Sequence, residues 1–247
     1  MTTAEFDRHA PGYRGGMEHP FKRIVGAGLD DFMRPKARWL LRDLERHPLR
    51  RSASVPARLL DYGCGTGAFL RALRAEALRA EGFDGDLAGC DPSREMLAEA
   101  RRTWAGGTPP AFDPMEGRCA PYSDGMFDVV VACGVLHHVP PRERPDAYRD
   151  IARLLASGGR AYVFEHNPFH PATQMVVRTT QLDRDAILLR PAETRTGLRA
   201  QGLRPLRTRH LLLLPPRTRA LRALDLLLDR VPLGAQYVVA SERAVET

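Results

Sequence analysis

The 247-residue chain is short of several things. Its four cysteines, Cys64, Cys90, Cys119 and Cys133, form no C-x-x-C pair and no His/Cys ligand spacing. That excludes a disulfide framework and a zinc-ribbon type of site, and predicts reduced, mostly buried thiols. No apolar run approaches the roughly 20 residues of a membrane span, so no stable membrane insertion is expected. The opening residues lack a basic segment followed by an apolar one, which predicts no secretory signal and a cytoplasmic protein. Internal repeats and low-complexity tracts are missing as well. Lysine is nearly absent: Lys22 and Lys36 are the only two, so the net charge of +7 is carried by arginine. Both precede residue 59, so a Tyr-x-x-x-Lys dyad cannot follow the glycine-rich loop described below. The arginine-thick region from Arg190 to Arg230 has no aromatic residue between its basic ones. Nucleic-acid binding through base stacking is therefore not expected.

What is present is alternation. Residues 57–167 read as strand, helix, strand, helix, repeated to a helix closed by glycines, PRERPDAYRDIARLLASGG, and a fifth strand, RAYVFEHN; MFDVVVACG is apolar throughout, as a central parallel strand should be. The pattern predicts an α/β fold with a doubly wound, mostly parallel sheet. Two later strands, near LRTRHLLLL and AQYVVAS, bring the count to seven, with a helical insertion near 215–233 between them. That helix is expected to bury a stripe of Leu221, Leu224, Leu228 and Val231 over a substrate cleft. Residues 1–56 lie outside the alternation and read as an N-terminal helical cover of the same domain, 57–247. Within the cover, PKARWLLRDLERH predicts an amphipathic helix with Pro35 in its first turn and Trp39, Leu40 and Leu44 on its buried face. Residues 167–174 (NPFHPATQ) read as irregular chain.

The loop LLDYGCGTGAFL, residues 59–70, invites two ligands. Gly63, Gly65 and Ala68 satisfy a dinucleotide fingerprint, and Asp91 stands at the distance from which an acid meets ribose hydroxyls in either case. Asp61 separates the two. A carboxylate at the strand tip opposes a pyrophosphate, but favours a ligand bearing ammonium and sulfonium groups.

Asp61-Tyr-Gly63-Cys-Gly65-Thr-Gly67 resembles the first motif of the class I S-adenosylmethionine-dependent methyltransferases. GCDPSREML, MEGRCAPYSDGMFDVV, VLHHV and LLASGGRAYVFE resemble the family's later segments in the same order. The resemblance implies a Rossmann-like methyltransferase fold with S-adenosylmethionine as cofactor. It places Asp61, Gly63, Gly65, Gly67 and Cys133 around that cofactor, with Asp91 on the ribose and Met96 near the adenine. Glu116 and Gly117 stand where many relatives carry an aspartate for the adenine amino group, and a surface glutamate is the alternative reading. Tyr13 and Arg38, with Lys36, are candidates to close the cofactor from the cover side, the methionine carboxylate being their target.

Catalytic candidates belong after strands four and five, where loops cover the transferred methyl group. His137, Glu165 and His166 are the polar groups there, and each is a candidate to orient or deprotonate an acceptor. The competing reading makes them packing and turn-forming groups. EHNP, residues 165–168, resembles methyltransferase-like sequences of bacterial secondary metabolism. No substrate comes with that resemblance; the expectation for the whole chain is a small organic acceptor with an apolar or aromatic body, methylated on oxygen or carbon. An RNA methyltransferase, an NAD(P)-dependent oxidoreductase and a non-catalytic cofactor-binding scaffold are the alternatives.

Overall fold

The structure, a computed structural model, describes residues 29–49, 56–80, 85–105, 107–179, 183, 185–213 and 218–245. Tyr13 and most of the expected cover lie outside the described residues.

Seven strands form one sheet in the order β3-β2-β1-β4-β5-β7-β6. They are β1 (Arg58–Tyr62), β2 (Asp86–Asp91), β3 (Ala111–Pro114), β4 (Phe127–Cys133), β5 (Leu155–His166), β6 (Leu203–Leu211) and β7 (Gln236–Arg243). The first five pair in parallel, and β7 runs antiparallel to both β5 and β6. The strand order reverses between β1 and β4, which opens a crevice beyond their carboxyl ends.

Period-two alternation divides the core between the two faces of the sheet. Leu60, Tyr62, Val130, Ala132, Ala161 and Val163 face α4 (Arg144–Leu154) and α6 (Pro191–Ala200). Leu59, Val129, Val131, Tyr162 and Phe164 face α1 (Leu29–Arg46), α2 (Ala68–Ala80) and α3 (Arg94–Thr103). Ser93 caps α3 by accepting from the Met96 amide at 3.1 Å.

Four expectations need correcting. Helix α1 begins at Leu29, so Pro35 lies inside it and not in its first turn. Trp39 and Leu40 are buried as expected, Trp39 standing edge-on to both Tyr162 and Phe164. Helix α4 stops at Leu154, short of the glycines; from Leu155 the chain is already extended and pairs with Phe127. The "irregular" stretch after β5 contains α5 (Pro171–Thr179), started by a proline at its first position. In the insertion, α7 (Arg219–Leu227) buries Asp225; of the expected stripe, Leu221, Leu228 and Val231 are half-buried and Leu224 is exposed. The Asp225 carboxylate, accepting the Leu212 amide at 2.8 Å, sets the rotation of the helix.

Candidate active site

The crevice holds a cavity of about 570 Å³, within the range of small-molecule sites. Asp61, Gly63 and Gly65 line it from β1 and the following loop, Asp91 and Met96 from β2 and α3, and Cys133, Gly134 and Val135 from the tip of β4.

The loop's geometry explains its glycines. Gly63 has φ +72°, and a Cβ there would come within 2.7 Å of a Val135 methyl. Gly65, at φ +51°, donates its amide to Asp91 Oδ2 at 2.8 Å, and the Ser93 amide donates to Oδ1 at 2.9 Å. Backbone amides thus aim the Asp91 carboxylate at the rim. Gly67 has another purpose: it does not line the cavity, and its missing Cβ makes room for Ala100 and Phe112.

Asp61 is 1 % exposed, and neither carboxylate oxygen has a hydrogen-bond partner among the described residues. Burial, helped by the charge of Asp91 and opposed by that of Lys36, pushes its pKa up to about 8. A buried, unsatisfied carboxylate facing a cavity calls for a cationic or donor ligand. The ammonium and sulfonium of S-adenosylmethionine fit that demand, and Asp91 fits its ribose hydroxyls. A pyrophosphate does not fit.

The cover-side cation is Lys36, not Arg38. The Arg38 Nε donates to Glu76 on α2 at 2.6 Å, away from the cavity. Lys36 is 3 % exposed, and its Nζ lies 3.4 Å from Cys133 Sγ and 3.8 Å from Met33 Sδ, two residues of the cavity wall. Two residues, about 200° of helix rotation, separate an outward from an inward cation, and the spacing alone does not say which is which. Glu116 and Gly117 also fall outside the lining. The Glu116 and Cys119 backbones bond to each other at 3.0 Å in both directions, and this tight turn, with Gly117 at φ +61°, leaves Glu116 exposed. Met115 and Arg118, on either side, line the cavity instead.

Beyond β4 and β5 lies a polar cluster. Glu165, from β5, is buried and accepts the amides of Val135 at 3.2 Å and Leu136 at 2.7 Å. Its other oxygen is 2.5 Å from His137 Nδ1. Residues 136–138 form a 3-10 turn that sends His137 inward to Glu165 and leaves His138 on the cavity wall. Of the two readings open for His137, facing the cavity or packing behind it, the structure has the second, the ring being held by Glu165. His166 stands edge-on to His137, ring centroids 4.9 Å apart, also off the cavity lining.

Asp183 joins the cluster from far along the chain. Its Oδ1 lies 3.5 Å from His138 Nε2 and 3.8 Å from His137 Nε2. No local pattern in the sequence marks it. The segment is docked by the Ile187 amide on the His137 carbonyl at 2.9 Å and by Arg144 Nη2 on the Ile187 carbonyl at 2.5 Å. Burial alone would lower the pKa of His137, but Glu165 and Asp183 outweigh it and hold the ring up at about 9. Burial, with the charge of His137, pushes His138 down to about 3 and His166 to about 4.

A family described as a methyltransferase domain matches residues 59–159. The chain is 34% identical over 115 residues to demethylmenaquinone methyltransferase of Thermus thermophilus, covering 46% of this chain and 49% of that one. This chain therefore spans about half the length of that relative. It is 31% identical over 150 residues to phosphatidylethanolamine N-methyltransferase of Cereibacter sphaeroides, covering 56% of this chain and 69% of that one. Stretches of 105 to 118 residues match two tRNA methyltransferases and ajmaline N-methyltransferase. Among solved structures, the methyltransferase in complex with the Haloferax volcanii Trm112 activator superposes with a TM-score of 0.65 at 20% identity, over 97% of this chain and 98% of that one. A dinucleotide oxidoreductase finds no support in these matches or in the buried Asp61. The glycine loop after β1 is shaped for S-adenosylmethionine, and the chain belongs to the class I S-adenosylmethionine-dependent methyltransferases.

Proposed function

We propose that the protein transfers the methyl group of S-adenosylmethionine to an oxygen or carbon atom of a small organic acceptor with an apolar or aromatic body, in bacterial secondary metabolism. The observation that carries this reading is the Glu165–His137–His138–Asp183 cluster adjoining the cofactor cavity through His138. The names of two relatives, for a quinone and a phospholipid acceptor, support an acceptor with an apolar body.

When bound, the cofactor supplies a methyl group on a sulfonium, an excellent leaving group. The chain's task is then alignment and exclusion of water. In this reading Asp61 meets the ammonium, Lys36 the carboxylate, Asp91 the ribose hydroxyls, and Met96 flanks the adenine. His138 orients the acceptor at the cavity wall. Glu165, anchored by two amides, holds His137 and keeps the cluster's charge balanced.

The test is transfer of labelled methyl from S-adenosylmethionine to panels of phenols, carboxylic acids and β-dicarbonyl compounds, with transfer RNA in parallel. Turnover of a small acceptor, cut about 100-fold or more by Glu165→Gln with S-adenosylhomocysteine affinity kept, supports the reading. Labelling of RNA alone overturns it in favour of an RNA methyltransferase, and labelling of nothing favours a cofactor-binding scaffold.

A further inference from the structure

We propose that His137, His138 and Asp183 form a binding site for one divalent transition-metal ion of the zinc class, beside the cofactor cavity. The Nε2 atoms of both histidines converge on the same oxygen, Asp183 Oδ1, at 3.8 and 3.5 Å. One ligand atom from each residue lies within 4.8 Å of the other two. These separations exceed the roughly 2.7–2.9 Å of a charge-assisted hydrogen bond. They approach the spacing of about 3.4 Å between ligand atoms of a tetrahedral ion with bonds of about 2.1 Å. Small side-chain adjustments would close the site on an ion.

The surroundings are those of a metal-binding histidine. A ligating imidazole needs its other nitrogen held by a carboxylate or carbonyl, which sets the tautomer and aims the free lone pair. Glu165 does this for His137 at 2.5 Å, and is itself fixed by the Val135 and Leu136 amides; an ion bound at Nε2 displaces the ring proton there to solvent. The Asp183 backbone is tied to the same turn: the Ala186 amide donates to the Asp183 carbonyl and the Ile187 amide to the His137 carbonyl, both at 2.9 Å. Two imidazoles and one carboxylate suit zinc, cobalt, iron or manganese better than calcium or magnesium, which take oxygen ligands. Three protein ligands leave a position open, and His138, shared with the cavity wall, puts that position next to the cavity. The inference rests on the proposed function for its purpose: the open position would take a lone pair of the acceptor's oxygen.

The experiment uses the full chain, stripped with chelator and dialysed. It is titrated with Co²⁺, followed by visible absorption, and with Zn²⁺ by calorimetry, with S-adenosylhomocysteine titrated separately. Expected is one ion per chain at micromolar affinity or tighter, weakened about 100-fold by Asp183→Asn and unchanged by the neighbouring control Asp185→Asn. Failure of the unmodified chain to take up an ion stoichiometrically overturns the site, and so does uptake that Asp183→Asn leaves intact. Should Asp183→Asn not fold, the Co²⁺ spectrum of the unmodified chain decides: histidine-ligated absorption supports the site, and that of hexaaqua cobalt overturns it. Loss of S-adenosylhomocysteine binding with metal uptake preserved would strike the cofactor reading instead, so the two failures are distinguishable.

Discussion

At Asp61 the protein keeps a carboxylate where burial makes ionisation costly. Its pKa of about 8 lies above the ordinary 3.8, so the folded chain holds a proton there that the unfolded chain has released. Stability from this group is therefore full below about pH 4 and is lost as pH rises through about 8. Asp61→Asn is expected to raise the melting temperature of the cofactor-free protein at pH 8.5, with a gain on the order of a few kcal/mol that vanishes near pH 4. Calorimetric scans at both pH values check this. The same variant should weaken S-adenosylhomocysteine binding about tenfold or more, the cost of losing the counter-charge. Gly63 makes the complementary steric case. Gly63→Ala combines a Cβ at φ +72° with a 2.7 Å contact to Val135, and should cost about 1–3 kcal/mol. In a Val135→Ala background the contact is relieved and the backbone strain is not, so a double-mutant cycle by urea unfolding should recover only part of the loss.

At the scale of elements, α1 is held to the sheet by buried polar contacts as well as by Trp39. Tyr162 donates its hydroxyl to Asp43 at 2.9 Å, and Arg207 Nε lies 3.2 Å from the same carboxylate. Trp39 Nε1 donates to Asp229 at 2.8 Å, which ties α1 to the chain just after α7. Asp43→Ala removes the carboxylate that accepts from the Tyr162 hydroxyl and balances the Arg207 guanidinium, so a loss of about 2–4 kcal/mol is expected. Limited proteolysis should then cut within α1, while Asp229→Ala, removing a more exposed contact, should cost less. If both variants melt like the unmodified chain, α1 is held by its apolar face alone.

Across the whole molecule, the excess positive charge is not evenly spread. Arg42, Arg46, Arg207, Arg209 and Arg230 surround a second cavity of about 280 Å³ that shares no lining residue with the first. Two acids there, Asp43 and Asp229, offset part of that charge. Transfer RNA is expected to bind this face at low salt only, with affinity falling steeply as salt rises. Arg42→Ala with Arg46→Ala should weaken such binding and leave S-adenosylhomocysteine affinity unchanged. Filter binding at several salt concentrations checks both points, and tight RNA binding that persists at about 150 mM salt would favour an RNA acceptor. Among the described residues no helix is long and apolar enough to cross a membrane.

Much of the fold was legible because it rests on local order. The alternation of apolar strands and amphipathic helices, the acid at the tip of β1 and the glycines after it are contiguous in sequence, and each is dictated by backbone and burial rules acting over a few residues. They suffice to specify the sheet, its crevice and the charge of its guest. Long-range packing decided the rest. Which of Lys36 and Arg38 turns inward depends on how α1 rotates against β5 and α2. Which of two adjacent histidines faces the cavity depends on a carboxylate 28 residues away. Asp183 reaches the cluster only because a backbone hydrogen bond docks the chain around Ile187 onto the turn carrying His137. Contacts between segments distant in sequence leave no periodicity to read, so the cofactor was written in the chain while the chemistry beside it was assembled by the tertiary structure.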